Sequence, residues 1–123
     1  MTKFKHENTY AKTFKNAIRG IFIVVKTEKN IKVHLCAGLL VLILANLFKF
    51  SLLCISLLLL TISSVIVTEM INTAIEYTLD AVYKNKYSKI VGMAKDISAG
   101  AVFITTIISV FIGILVFSYN FIN

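Results

Sequence analysis

The segment TEMINTAIEYTLD, residues 68–80, closes an apolar run that begins near Leu52, and it carries polar side chains where a membrane helix normally has leucine. Residues spaced three and four apart share one face of an α-helix, within roughly 80° of one another on a 100° wheel. Ionisable side chains are costly inside or at the edge of a bilayer and usually have a function there. The segment therefore predicts a membrane helix with a polar stripe at its end, formed by Glu69, Asn72, Glu76 and Asp80.

The composition indicates one membrane-embedded domain over residues 1–123. Hydrophobic residues make up 58% of the chain and charged residues only 15%. A folded soluble protein of this size needs more polar surface than such a composition supplies. We therefore expect an integral membrane protein.

We interpret the net charge of +7 as an indication of how the chain is oriented in the membrane. Eight of the thirteen Lys and Arg residues lie within residues 1–32, Lys49 stands between the first two apolar spans, four precede the third span, and none follows it. The positive-inside rule then predicts a cytoplasmic N-terminus, a cytoplasmic loop at residues 83–95 and an external C-terminus. No groove-reading motif accompanies the basic residues, so no nucleic-acid partner is predicted.

The pattern predicts an all-α membrane protein with an N-terminal amphipathic surface helix plus three transmembrane helices. Apolar residues recur at three- and four-residue steps in residues 8–30, which is typical of a helix lying on a membrane surface. The three spans are predicted at residues 32–48, 52–82 and 96–119.

Two acids outside the stripe have alternative explanations. Glu28 falls on the apolar face of the surface helix, where a solubilising acid is not expected; alternatively the helix frays before it and Glu28 meets water. Asp96 follows Lys95 at the inner mouth of the third span, where an acid can also serve as a helix cap.

The acids are predicted to share one depth, near the cytoplasmic interface. Carboxylate oxygens suit hard cations such as Mg²⁺, and Lys95 offers a point charge for phosphate. The glycines form no Walker loop, so a nucleotide would be held by metal-bound carboxylates and Lys95. The residues alone leave open phosphoryl transfer and a proton or cation pathway. Five of the six acids are in this set: Glu28, Glu69, Glu76, Asp80 and Asp96.

Two groups of motifs resemble one known family. Residues 69–76 (EMINTAIE) with Asp80, followed by residues 94–96 (AKD) and 99–102 (AGAV), look like the bacterial integral-membrane diacylglycerol kinase and undecaprenol kinase family. Residues 14–20 (FKNAIRG) and 28–34 (EKNIKVH) are similar to its Gram-positive undecaprenol kinase branch. The resemblance covers nearly the whole chain from about residue 10.

The resemblance implies a homotrimeric helical bundle in the bacterial inner membrane, with active sites shared between subunits. It implies that Glu69 is the general base for the lipid hydroxyl and that Asn72 orients groups beside it, so both face the lipid substrate. Glu28 and Glu76 would hold the Mg²⁺ of MgATP.

The remaining roles are also implied by the resemblance. Lys95 and Asp96 would contact the nucleotide phosphates or their metal, and Asp80 would have a supporting role. Lys32 stands where many relatives have arginine, and Tyr77-Thr78 replaces a small apolar pair. These departures bear on the choice of substrate.

The resulting hypothesis is a lipid kinase that transfers the γ-phosphoryl group of ATP to the hydroxyl of a membrane lipid. Undecaprenol is the favoured substrate and diacylglycerol the alternative. A non-enzymatic alternative is a small membrane assembly or a cation-conducting subunit, which would tolerate Glu69→Gln or Glu76→Gln.

Overall fold

A computed structural model describes residues 9–84, 86 and 88–123. Residue 8 of the predicted surface helix, and Asn85 and Tyr87 of the predicted basic loop, lie outside the described residues. The described chain forms four helices: α1 (Thr9–Thr27), α2 (Lys29–Leu47), α3 (Leu52–Tyr83) and α4 (Lys89–Ile122).

Three of the helices, α2, α3 and α4, are long and apolar enough to cross a membrane. This confirms the predicted all-α membrane class. Helix α3 is the central element, since it packs against both α4 and α2, whereas α1 packs mainly against α2. The polar stripe therefore lies on the helix that packs between α2 and α4.

Helix α1 keeps its apolar face uncovered within the chain. Tyr10 is 89% exposed and Phe14 is 70% exposed, and Ile18 and Ile21 are also exposed. A helix with a basic face opposite an uncovered apolar face is suited to lie in the plane of a membrane surface.

The end of the bundle opposite the polar stripe is closed by a small apolar core. Lys49 adopts a left-handed conformation with φ 56° in the short connection between α2 and α3. The Ser51 side chain then caps α3 by accepting a hydrogen bond from the Cys54 backbone N–H at 3.3 Å. The core joins the ends of α2, α3 and α4 through Ala45, Phe50, Cys54, Leu58 and Val116.

The helix boundaries follow the sequence prediction for α3 and differ elsewhere. Residues 52–82 were predicted for α3, and Leu52–Tyr83 are observed. The first two helices were predicted at residues 8–30 and 32–48, but α1 ends at Thr27 and α2 begins at Lys29, so the two helices meet at Glu28. Helix α4 begins at Lys89 rather than at residue 96. Hydropathy locates only the part of a helix that lies in the bilayer. Residues 89–95 are less apolar, but they contain no proline, so the helix can extend through them.

Gly38 sets how closely α2 approaches α3. A β-carbon added there would lie 2.6 Å from Cγ2 of Ile62. Because a β-branched side chain has essentially one χ1 rotamer in a helix, that methyl group cannot swing away. We expect Gly38→Ala to lower the free energy of unfolding by about 1–3 kcal/mol, the usual cost of overpacking.

Thermal unfolding in detergent micelles measures this effect. Gly20→Ala is the matched control, because a β-carbon at Gly20 meets no described atom within 4 Å. A melting temperature for Gly38→Ala equal to or above that of the wild type would show that α2 and α3 do not need this close contact.

Candidate active site

Glu69 is a buried carboxylate held between two helices. Its side chain is only 4% exposed, and Asn30 Nδ2 in the first turn of α2 donates a hydrogen bond to Glu69 Oε1 at 3.3 Å. A buried carboxylate requires such donors because it has lost its water. Asn30 was not among the predicted site residues, although it lies two positions after Glu28 in a segment that carries the family resemblance.

Glu28 is the single residue between α1 and α2. Its backbone is extended, with φ −98° and ψ 114°, so neither helix continues through it. Tyr77 Oη on α3 donates a hydrogen bond to Glu28 Oε1 at 3.1 Å, and Thr27 Oγ1 lies 3.5 Å from the same hydroxyl. The surface helix therefore ends before Glu28, as one alternative expected, but the half-buried carboxylate is tied to α3 rather than simply meeting water.

Glu76, the neighbour of Tyr77 in the chain, is paired with Asn72. Asn72 Nδ2 donates to Glu76 Oε1 at 3.4 Å, one helical turn away. The structure thus places the Asn72 amide on Glu76, whereas the resemblance implied a position beside Glu69. Asn72 is 9% exposed, and its Oδ1 is buried with no hydrogen-bond partner in the described part of the chain. The described residues therefore leave one buried hydrogen-bond acceptor of Asn72 unmet.

An ion pair joins the C-terminal part of α3 to the N-terminal part of α4. Lys95 Nζ lies 2.7 Å from Asp80 Oδ1, and the two side chains are 37% and 41% exposed. A pair this open to solvent contributes no more than about 1 kcal/mol to stability. Its position at a cavity is more informative than its energy.

The cavity beside this ion pair has a volume of about 250 Å³. Asp96 also lines it, and Asp96 lies about two turns inside α4. The alternative that Asp96 caps a helix is therefore wrong, because α4 begins at Lys89. The cavity combines cationic, anionic and aromatic groups, among them Asp80, Tyr83, Lys86, Lys95 and Asp96.

Glu28 and Glu76 have the donor chemistry that Mg²⁺ requires. The Tyr77 contact brings Glu28 to the turn of α3 that carries Glu76. Within residues 9–84, 86 and 88–123 there is no group of three or more His, Cys, Asp or Glu side chains that could hold a metal ion. Magnesium is commonly held by one or two carboxylates together with substrate phosphates and water, so this pair fits a metal that arrives with a nucleotide.

A second, apolar cavity of about 410 Å³ lies between α2, α3 and α4. Val65 on its wall stands one turn before Glu69, and His34 stands one turn after Asn30. The cavity therefore begins one turn from the Asn30–Glu69 hydrogen bond. Its walls are mostly aliphatic and aromatic, as expected for a place where hydrocarbon is held.

Carboxylates follow one another along one membrane helix, with a cavity lined by lysine and aspartate side chains near one end and an apolar cavity on the other side. This arrangement suits a membrane enzyme whose substrates are partly charged and partly apolar. The chain belongs to the prokaryotic diacylglycerol kinase family, whose model matches residues 15–117. The resemblance seen in the sequence is thereby confirmed.

Two curated relatives agree with this assignment. The chain is 37% identical over 110 residues to an undecaprenol kinase of Bacillus subtilis, with 89% of each chain covered. It is 31% identical over 101 residues to a diacylglycerol kinase of Synechocystis sp., covering 82% of this chain and 58% of the relative. The protein is an integral membrane lipid kinase with a nucleotide phosphoryl donor, and the non-enzymatic alternative is set aside.

Proposed function

We propose that this kinase transfers the γ-phosphoryl group of MgATP to the hydroxyl of undecaprenol. The observation that carries the choice of lipid is the 37% identity, over 89% of both chains, to the undecaprenol kinase of Bacillus subtilis. Diacylglycerol is the second candidate, because the Synechocystis relative is a diacylglycerol kinase.

Glu69 is proposed as the general base. Its burial and its hydrogen bond from Asn30 support a carboxylate that is held in place one helical turn from the apolar cavity. As the lipid oxygen attacks the γ-phosphorus, the hydroxyl proton passes to Glu69. The bond between the γ-phosphorus and the β–γ bridging oxygen breaks, and that oxygen leaves with ADP. The hydrocarbon tail would lie in the apolar cavity that starts at Val65.

Glu28 and Glu76 are proposed to hold Mg²⁺ together with the nucleotide phosphates. When bound, the ion would neutralise the charge that develops on the phosphate oxygens. Asn72 supports this role by donating to Glu76. Its Oδ1 has no partner among the described residues and would accept a hydrogen bond from a lipid hydroxyl or a water molecule. Tyr77 supports it by holding Glu28 beside the same turn of α3.

The cavity at the inner end of α3 and α4 is proposed as the nucleotide site. Lys95 can bind a phosphate oxygen as a point charge, while Asp80 fixes the lysine side chain at 2.7 Å. Asp96 lines the same cavity and would face the phosphates or their metal. Asp80 is thus a supporting residue, since it acts through Lys95.

We also propose a homotrimer of single-domain chains in the bacterial inner membrane, with the N-terminus in the cytoplasm and the C-terminus outside. The distribution of Lys and Arg supports this orientation. The family resemblance supports the trimer. So does the half-buried state of Glu28 and Glu76 in one chain, since neighbouring helices would enclose these carboxylates.

A lipid panel tests the choice of substrate. The purified protein is incubated with MgATP in mixed micelles containing undecaprenol, diacylglycerol or a short-chain prenol, and kcat/KM is measured for each. We expect undecaprenol to give the highest value. A higher kcat/KM for diacylglycerol would reassign the substrate while leaving the kinase class intact.

Tyr77→Phe tests the link between Tyr77 and Glu28. The substitution keeps the ring and removes only the hydroxyl that donates to Glu28 Oε1. Because one hydrogen bond that positions a proposed metal ligand is lost, we expect KM for MgATP to rise roughly two- to tenfold. Steady-state kinetics at saturating lipid measures the change.

Tyr119→Phe is the matched control, because Tyr119 lies near the C-terminal end of α4, far along the helix from Lys95 and Asp96, and is 62% exposed. It should leave both kinetic constants unchanged. An unaltered KM for MgATP in Tyr77→Phe would mean that the contact with Glu28 does not serve nucleotide binding.

A further inference from the structure

The Asn30–Glu69 hydrogen bond joins residues that are 39 positions apart in the chain. It connects the first turn of α2 with the inner part of α3, and it brings an amide donor to a carboxylate that is only 4% exposed. The Asn30 amide could instead have capped its own helix or faced water. Because Asn30 instead bonds across to Glu69, the most buried acid among the site residues, we infer that its function concerns Glu69.

We propose that Asn30 is the positioning residue for the general base, whereas the resemblance implied only that Asn72 orients groups beside that base. The inference rests on the proposed function of Glu69. In this chain the Asn72 amide donates to Glu76 at 3.4 Å, whereas the Asn30 amide donates to Glu69 at 3.3 Å. The two asparagines therefore serve different carboxylates: Asn72 serves the nucleotide side of the site, and Asn30 serves the lipid side.

The hydrogen bond affects both oxygens of the Glu69 carboxylate. Oε1 accepts from Asn30, which leaves Oε2 to receive the proton of the lipid hydroxyl. Since the carboxylate is buried, the amide also supplies a hydrogen-bond donor in place of a water molecule that burial has removed. Asn30 thereby fixes the orientation of the Glu69 carboxylate without touching the reacting atoms.

The bond also links the base to the metal side of the site. Asn30 lies two residues after Glu28, at the break where α1 meets α2. Tyr77 holds Glu28 and Asn30 holds Glu69, so the α1–α2 junction and the first turn of α2 are each attached to α3. The start of α2 therefore sets the spacing between the proposed lipid site and the proposed MgATP site.

The test uses Asn30→Leu, which keeps a similar size without the donor, together with Asn30→Asp, which replaces the donor by a second carboxylate. Both are expected to lower kcat by roughly tenfold to a hundredfold, the effect of losing a hydrogen bond to a charged group, while KM for MgATP stays close to that of the wild type. Asn30→Gln retains an amide donor and should recover a large part of kcat.

Asn46→Asp is the matched control on the same helix, because Asn46 lies near the other end of α2 and is exposed. It should leave kcat unchanged. A wild-type kcat in whichever of Asn30→Leu and Asn30→Asp folds would overturn the proposal. So would a loss that falls entirely on KM for MgATP, or a failure of Asn30→Gln to exceed Asn30→Leu.

A failure of the proposed role of Asn30 can be distinguished from a failure of the proposed function. If the wild-type protein phosphorylates no lipid alcohol, the proposed function is wrong. If the wild type is active and a folded Asn30→Leu or Asn30→Asp protein retains its kcat, only the role of Asn30 is wrong.

Discussion

Replacing Glu69 with glutamine is expected to lower kcat for lipid phosphorylation by roughly 10²–10⁴-fold, the usual contribution of a general base. Glutamine has the same size, and its carbonyl oxygen can still accept the hydrogen bond that Asn30 donates to Glu69 Oε1. What it lacks is a group that takes a proton from the lipid hydroxyl. The chemical step should therefore be lost while the packing between α2 and α3 is retained.

The measurement is the rate of phosphate transfer to undecaprenol at saturating MgATP. The melting temperature and the oligomeric state of Glu69→Gln serve as controls for folding, and both should match the wild type. Full activity in a folded Glu69→Gln protein would rule out Glu69 as the base and would make another acid of the stripe the candidate base.

Glu76→Gln is expected to weaken binding of MgATP by at least roughly tenfold to a hundredfold, a loss already seen for residues that only support a metal ligand. The neutral amide loses the charge that attracts Mg²⁺, although it remains close enough to pair with Asn72. A weakened metal site follows mass action, so excess Mg²⁺ should restore part of the activity.

Kinetics over a range of Mg²⁺ concentrations measures this effect. The Glu76→Gln curve should be displaced to higher Mg²⁺, while the Glu69→Gln protein should show a low rate at every concentration. Activity of Glu76→Gln that is normal, or that is lost without any dependence on Mg²⁺, would contradict the assignment of Glu76 as a metal ligand.

Much of the fold could be predicted from the sequence because helices in a membrane protein produce local patterns of apolar, acidic and basic residues. The apolar spans and the spacing of the acids place α3 within one residue of its observed bounds. The basic residues and the amphipathic pattern predict a separate first helix, which is present as α1. These signals are local, so a single sequence carries them.

The partners of the site residues could not be predicted in the same way. Glu28 and Tyr77 are 49 residues apart, and no periodicity within one helix indicates that they meet. For Asn72, helical spacing is compatible with both Glu69 and Glu76, and only packing decides that its amide turns to Glu76. Neither contact carries a sequence signal of its own.

The extent of α4 was missed for a different reason. Lys89 and Lys95 lower the hydropathy of the segment before the third span, yet they are good helix formers. The helix therefore continues beyond the predicted span and places Lys95 and Asp96 on a rigid element beside Asp80. A loop at this point would have held the proposed phosphate ligands less firmly.

Equilibrium binding of MgATP to the two glutamine variants, measured by titration calorimetry, tests whether Glu69 acts on the lipid and Glu76 on the nucleotide. We expect Glu69→Gln to bind MgATP as tightly as the wild type, because its proposed role is on the lipid side. We expect clearly weaker binding for Glu76→Gln. Equal affinities for the two variants, or a loss of affinity confined to Glu69→Gln, would contradict this division of the site.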